Sequence, residues 1–229
     1  MGLLKDLLFP KFCVICSLLG SYICLSCQKK LIRSSNCCVY CNKLSFFGLT
    51  HYSCQRQLGI DGLISVYTYN QPIKKIIKSI KYRLSTDVLK ELFQVIPTDF
   101  LYSLSNFKKF SQEYFLQAVP LHPQRQKKRG FNQSNIIRDF FNLYISNITI
   151  LEILERTKNT PAQAQIKEKS KKYFNVKGSF KITSSKEIIN KDIILIDDIV
   201  TTGSTIKEAC RILKKDGARK VFAMALARG

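Results

Sequence analysis

At 229 residues the chain is long enough for one large domain, or for a medium domain with a small appendage. Lys and Arg number 37 against 16 acids, a net charge of +21, which points to a polyanionic partner; an AT-rich genome rich in Lys, Ile, Asn and Phe codons is the plainer alternative. No stretch reaches the roughly 18 apolar residues of a membrane span. The absence of G-x-x-x-x-G-K-[ST] and of G-x-G-x-x-G argues against a P-loop and a dinucleotide fold.

Of nine cysteines, eight lie within the first 54 residues. They form the pairs Cys13-x2-Cys16, Cys24-x2-Cys27 and Cys38-x2-Cys41, followed by His51-x2-Cys54. Two residues between ligands let both side chains reach one tetrahedral ion, so the chain begins as a zinc-binding segment. Eight donors suit two zinc ions; one zinc with leftover thiols is the alternative, and spacing does not say which pairs share an ion. Cys37 competes with Cys38, and the two-residue spacing prefers Cys38. With every ligand from protein, the metal is structural, and a ribbon this short depends on it for folding. The start could pass for a signal peptide. Lys5, Asp6, Pro10 and Lys11 break its apolar run, and the expectation is a cytoplasmic protein.

Residues 62–69 alternate like a strand. Ile73, Ile76, Ile77 and Ile80 then fall on one helical face over residues 71–83. Lys74, Lys75, Lys78 and Lys81 fall on the others, read as a solvated basic side or a nucleic-acid surface. Residues 86–112 read as helix and loop. A strand over 115–119 ends at Pro120, and the following loop carries Arg125, Lys127, Lys128 and Arg129. A helix is expected over 130–144 and a strand over 150–154. Ile193, Ile194, Leu195 and Ile196 form an all-apolar strand that Asp197 and Asp198 end. A loop follows (Thr201, Thr202, Gly203, Ser204, Thr205), then a helix in which Cys210 is a buried small residue. Residues 221–227 supply a last strand. Alternating strands and helices predict a mainly parallel α/β sheet flanked by helices, with domains at 1–58 and 59–229.

The chemistry of residues 197–205 is that of a ribose phosphate site. A helix N-terminus behind a glycine suits phosphate, and paired carboxylates suit sugar hydroxyls or a bound magnesium ion. A second strand end bearing cations, facing this phosphate loop, is where a pyrophosphate would be held. The surplus cations Arg125, Lys127, Lys128 and Arg129 suit a phosphate backbone, or form a solvated loop.

The stretch from Ile193 to Thr205, IILIDDIVTTGST, resembles the signature of type I phosphoribosyltransferases. Together with the cysteine pairs, VPLHPQRQKKRGFNQS (119–134), RTKNTPAQAQ (156–165) and NVKGSF (175–180), it resembles the ComF (ComFC, GntX-like) competence family. That resemblance implies a phosphoribosyltransferase domain behind a double zinc ribbon, in which His51 replaces the more usual cysteine. It implies that Asp197, Asp198 and residues 201–205 bind phosphoribosyl diphosphate with Mg2+. Leu121 and His122, with Arg129, would form the pyrophosphate loop; His122 could equally be a turn residue. Lys158 and Gln163 would lie in a flexible loop that closes over the ligand. It further implies handling of single-stranded DNA in natural transformation, beside a helicase and recombination proteins. The competing expectation is an active transferase that passes ribose 5-phosphate to an acceptor and releases pyrophosphate. No segment reads as a nucleobase hood.

Overall fold

The computed structural model describes residues 10–82, 86–109, 113–160 and 174–229. Its centre is a five-stranded sheet, parallel throughout, in the order β1-β7-β6-β2-β3. The strands are β1 (Gly62–Thr68), β2 (Tyr114–Ala118), β3 (Ile148–Leu151), β6 (Asp192–Val200) and β7 (Lys220–Arg228). Two short strands, β4 (Leu154–Arg156) and β5 (Phe180–Ile182), form a separate antiparallel pair.

Alternation along the strands divides the core between two faces. Ile194, Ile196, Met224 and Leu226 pack under helices α2 (Gln71–Tyr82), α3 (Thr86–Gln94) and α6 (Gln133–Asn142). From α2, Ile73, Ile76, Ile77 and Ile80 are all buried, the four residues its periodicity assigns to one face. Ile193, Leu195, Val221, Ala223 and Ala225 face the other way, against Ile206, Ala209, Cys210 and Leu213 of α7 (Ser204–Lys215). Helices on both faces explain why β6 and β7 are apolar at successive positions rather than alternate ones.

Three boundaries differ from expectation. Asp197 and Asp198 do not end β6: pairing with β7 continues from Asp197↔Ala225 to Val200↔Arg228, so a neighbouring strand satisfies the backbone beyond the acids. The cationic loop after β2 contains a short helix, α5 (Pro123–Arg129). Pro123 sits near its start, His122 Nδ1 accepts from Gln124 N–H at 3.3 Å, and three cations occupy the last turn, where the helix dipole favours them. Gly130 ends the helix at φ 80°, a left-handed conformation that favours glycine. Finally, the strand expected over 150–154 is two strands. Buried Gln117 of β2 accepts from the N–H groups of Ile153 and Leu154 at 3.0 and 3.2 Å, holding the chain where it turns from β3 into β4.

The cysteine-rich segment lies along the β1 edge of the sheet. Ser34 N–H donates to Val66 carbonyl at 3.0 Å and Thr68 N–H to Ile32 carbonyl at 2.8 Å, covering an edge that would otherwise be open. Ile23 N–H donates to Glu91 of α3 at 2.9 Å, and Lys75 donates to Ile15 carbonyl at 2.7 Å. That lysine of the basic helix face therefore holds the ribbon. Short helices α1 (Leu25–Gln28) and α4 (Thr98–Ser103) complete the named elements.

Candidate functional site

The acids lie at the carboxyl end of β6, the end at which open parallel sheets bind ligands. Both are largely buried, at 9 % and 8 % exposure, so neither is an ordinary surface carboxylate. Asp197 accepts from Asp198 N–H at 2.8 Å and from Ser134 hydroxyl at 3.3 Å. Lys81 Nζ stands 2.5 Å from Asp198 Oδ2. Burial, reinforced by the Asp198 charge, pushes the Asp197 carboxyl up to about 8, against the pull of Lys81. Among the described ion pairs only Lys81 contacts this pair of acids directly, and a further cation or a set of hydroxyl donors would relieve them.

The loop that follows is built to hold an anion. Gly203 takes φ 73° and supplies no side-chain cap to α7. The first-turn N–H groups of a helix have no partners within it; here Ser204 N–H meets Thr202 Oγ1 at 3.4 Å, and the N–H groups that follow it suit a ligand. Thr202 Oγ1 lies 2.8 Å from Ser204 Oγ, placing two hydroxyls together at the helix start. Thr201 is exposed, Thr202 and Thr205 partly so, and Gly203 and Ser204 are buried.

The second strand end sits beside the first. Val119 N–H donates to Ile196 carbonyl at 2.8 Å, which carries Leu121 and His122 alongside the acids. At the far end of α5, burial pushes the half-buried Arg129 guanidinium below its usual range, and the charge of Asp198 opposes that shift. Lys127 and Lys128 are exposed. Arg125 is engaged: its Nε donates to Asn159 at 3.2 Å, and its guanidinium also donates to Thr160 carbonyl. Asn159 in turn donates to Gln124 at 2.7 Å, so α5 grips the chain leaving β4. Lys158 donates to Lys177 carbonyl at 3.1 Å. Gln163 lies outside the described residues.

Three site residues carried no individual signal. Lys81 was read as part of a solvated face, and only the packing of α2 turns its last lysine toward Asp198. Ser134, the last residue of the VPLHPQRQKKRGFNQS segment, reaches Asp197 because Asn132 caps α6, accepting from Ser134 N–H and donating to Val119 carbonyl, each at 3.1 Å. Arg156 is mostly buried, with Arg125 and Asp197 within electrostatic reach, and donates to Thr160 hydroxyl at 2.8 Å.

Two groups in the N-terminal segment could each hold a metal ion: Cys13, Cys16, Cys24 and Cys27, and Cys38, Cys41, His51 and Cys54. Within each, the ligand atoms all lie within 4.8 Å of one another. The pairs thus combine in chain order. The two knuckles repeat one construction. Cys13 N–H bonds Leu18 carbonyl and Ser17 N–H bonds Cys13 carbonyl; Cys38 N–H bonds Lys43 carbonyl and Asn42 N–H bonds Cys38 carbonyl. Ser17 and Asn42 both adopt positive φ, and the bridges Phe12↔Leu19 and Cys37↔Leu44 close the two turns alike. Cys37 stays outside the second group, its carbonyl occupied by Arg228.

The donors suit zinc. The Ser26 hydroxyl, then Cys27 N–H, draws the Cys24 thiol down to about 6. At Cys38 burial works the other way, but N–H groups of Cys41, Tyr40 and His51 outweigh it and bring the thiol to about 6. His51 Nε2 lies 3.0 Å from Leu44 carbonyl, and a proton there leaves Nδ1, 3.2 Å from Cys41 Sγ, as the ligand atom. The first group would gain folding energy from metal, since among the described residues the apolar cluster at its knuckle is Cys13, Cys24, Cys27 and Ile15.

Residues 143–229 match the family described as the phosphoribosyl transferase domain. Over nearly its whole length the chain is similar to Competence protein F of Haemophilus influenzae, 26 % identical over 212 residues covering 90 % of each chain. It is similar to DNA utilization protein YhgH of Escherichia coli K12, 25 % identical and covering 96 % of this chain and 97 % of that one. Competence protein ComFC of Bacillus subtilis is 28 % identical, covering 90 % and 84 %. The first and third of these relatives bear the competence names of the family that the sequence resembles. Among the described residues no helix is long and apolar enough to cross a membrane.

Proposed function

We propose that this protein binds phosphoribosyl diphosphate with Mg2+ and handles single-stranded DNA in the cytoplasm during natural transformation. Its relatives' names and its phosphoribosyl transferase domain match support a competence-related role. The observation that carries the ligand is the meeting of two strand ends: the buried pair Asp197 and Asp198 with Lys81 and Ser134 on one side, and Arg129 on the other. In this reading the carboxylates take the ribose hydroxyls, directly or through Mg2+, and the loop 201–205 takes the 5-phosphate. Leu121, His122 and Arg129 face the pyrophosphate. By the resemblance, Lys158 and Gln163 would act near the same ligand. Zinc held by the two cysteine-rich groups keeps the ribbon folded. Single-stranded DNA is drawn by the +21 charge and held at Lys127, Lys128 and their neighbours.

Isothermal titration of the wild type and of Asp197→Ala/Asp198→Ala with phosphoribosyl diphosphate and Mg2+ tests the ligand. Heat from the wild type and none from the variant is the expected result; no heat from either overturns it. DNA handling predicts single-strand affinity that falls steeply with salt. Release of pyrophosphate without a DNA requirement would favour the transferase alternative.

A further inference from the structure

The second metal knuckle is joined to the phosphate loop by two separate struts. The first runs through Arg228, at the end of β7. Its guanidinium donates to the carbonyls of Cys37 and Cys38, at 2.6 and 3.1 Å, and to Asn42 Oδ1 at 3.0 Å. Arg228 is the register partner of Val200, the residue immediately before the loop, and Gly229 N–H donates to Val200 carbonyl at 3.0 Å.

The second strut is Tyr40, between Cys38 and Cys41. Its hydroxyl accepts from Ile60 N–H at 3.0 Å, which fixes the ring. Over that ring stand two cations, Arg56 at 4.8 Å and Lys207 Nζ at 5.1 Å from the centroid. Lys207 lies one turn into α7, and its ammonium is 3.4 Å from the carbonyl of Thr202 inside the loop. Its methylenes lie against Gly203, where an added Cβ would meet Lys207 Cε at 3.3 Å.

Lys207 is a cation in need of an anion. No carboxylate pairs with it among the described ion pairs, and burial, then Arg56 and Arg228, push its ammonium below the usual lysine range. Lys207 thus holds a cation at the Thr202 carbonyl beside the first turn of α7, with Arg56 and Arg228 within electrostatic reach, and phosphate oxygens there would relieve the three charges.

We propose that Lys207 is an added ligand for the 5-phosphate, that Tyr40 positions it, and that zinc loading of the second knuckle thereby sets the affinity of the phosphate loop. This rests on the ribose phosphate reading above. The first knuckle, which meets α2 and α3 through Ile15 and Ile23, has neither strut and does not set that affinity.

The test is titration of phosphoribosyl diphosphate and, separately, ribose 5-phosphate into Lys207→Met, Tyr40→Leu, His51→Ala and Cys16→Ser, with zinc content and thermal unfolding measured on each. The first three should bind both ligands about tenfold more weakly, the effect of losing one charge-assisted contact. Cys16→Ser, which loses zinc from the other knuckle, should stay within about twofold. Because Lys207 and His51 act on one contact, the double variant should be no weaker than either single one. An Arg129→Met control should weaken the diphosphate alone.

Wild-type binding that His51→Ala and Lys207→Met leave unchanged overturns this inference while sparing the ligand assignment. Equal losses from His51→Ala and Cys16→Ser also overturn it, because a general loosening of the ribbon would explain them. No binding by the wild type overturns both.

Discussion

Replacing Asp197 by Asn should make the protein more stable at alkaline pH while abolishing ligand binding. The carboxyl is 9 % exposed, shares its surroundings with Asp198, and titrates near 8 rather than at the ordinary 3.8. Below pH 3.8 the folded and unfolded chains both hold its proton. Between 3.8 and 8 the unfolded chain releases that proton and the folded chain keeps it, so this residue's contribution to stability falls as pH rises. Over the three pH units from 5 to 8 the fall has a ceiling of about 4 kcal/mol at 1.36 kcal/mol per unit. Relaxation and water entry reduce it to roughly 2 kcal/mol. Asn cannot ionise, so its stability curve lacks this component. Urea unfolding of both proteins at pH 5, 6.5 and 8 reads the titration of Asp197 together with its effect on neighbouring Asp198, the other groups contributing to both curves. The gap should open toward pH 8 in favour of Asn. Parallel curves would refute the argument that ionisation of Asp197 costs stability, and with it the case that a ligand is needed there. A site that costs stability until it is filled is the usual mark of function.

Other consequences follow from single contacts. Purified protein should carry two zinc ions per chain by native mass spectrometry, and His51→Ala one, because four donors supply about 10–16 kcal/mol and losing one weakens a site by roughly 10²- to 10³-fold. Glu208 is fully buried on α7, accepting from Gly178 N–H at 2.7 Å and from Arg211 at 2.8 and 2.9 Å, bonds that hold its carboxylate below the usual range despite burial. Glu208→Ala should therefore cost about 2–4 kcal/mol in chemical denaturation, and Glu208→Gln less. Lys127→Ala/Lys128→Ala should weaken single-stranded DNA binding and flatten its salt dependence by about 1.4 in the log–log slope, at about 0.7 per contact. An unchanged slope would place the DNA elsewhere.

Much of this architecture is legible in one dimension. An all-apolar run such as Ile193–Ile196 can only be a strand covered on both faces, and the isoleucines of α2 declare their face by their spacing. C-x2-C pairs give the metal chemistry because two intervening residues close a turn by themselves, and the two knuckles indeed close with local bonds. Local pattern failed where a distant neighbour intervened. Nothing in the chain near Asp197 says that β6 continues past it; β7 decides that by pairing as far as Arg228. Similarly, the short helix α5 lacks an apolar face to announce it, and its start at Pro123 is visible only once His122 caps it.

What the amino-acid order determined alone is the chemistry available: paired acids, a hydroxyl-rich glycine loop, eight metal donors and an excess of cations. What tertiary structure decided is which of these meet. Lys81 finds Asp198, and Ser134 finds Asp197 across 63 residues, because the strand order brings the ends of β2 and β6 together under α2 and α6. Arg228 clamps Cys37 across 191 residues because the final strand ends beside the second knuckle. The physical reason is range. Side-chain period, turn closure and metal-ligand spacing act over a few residues and are written locally. Charge pairing and strand-end juxtaposition act through space, and exist only after the buried faces of the sheet have set the positions of its strands.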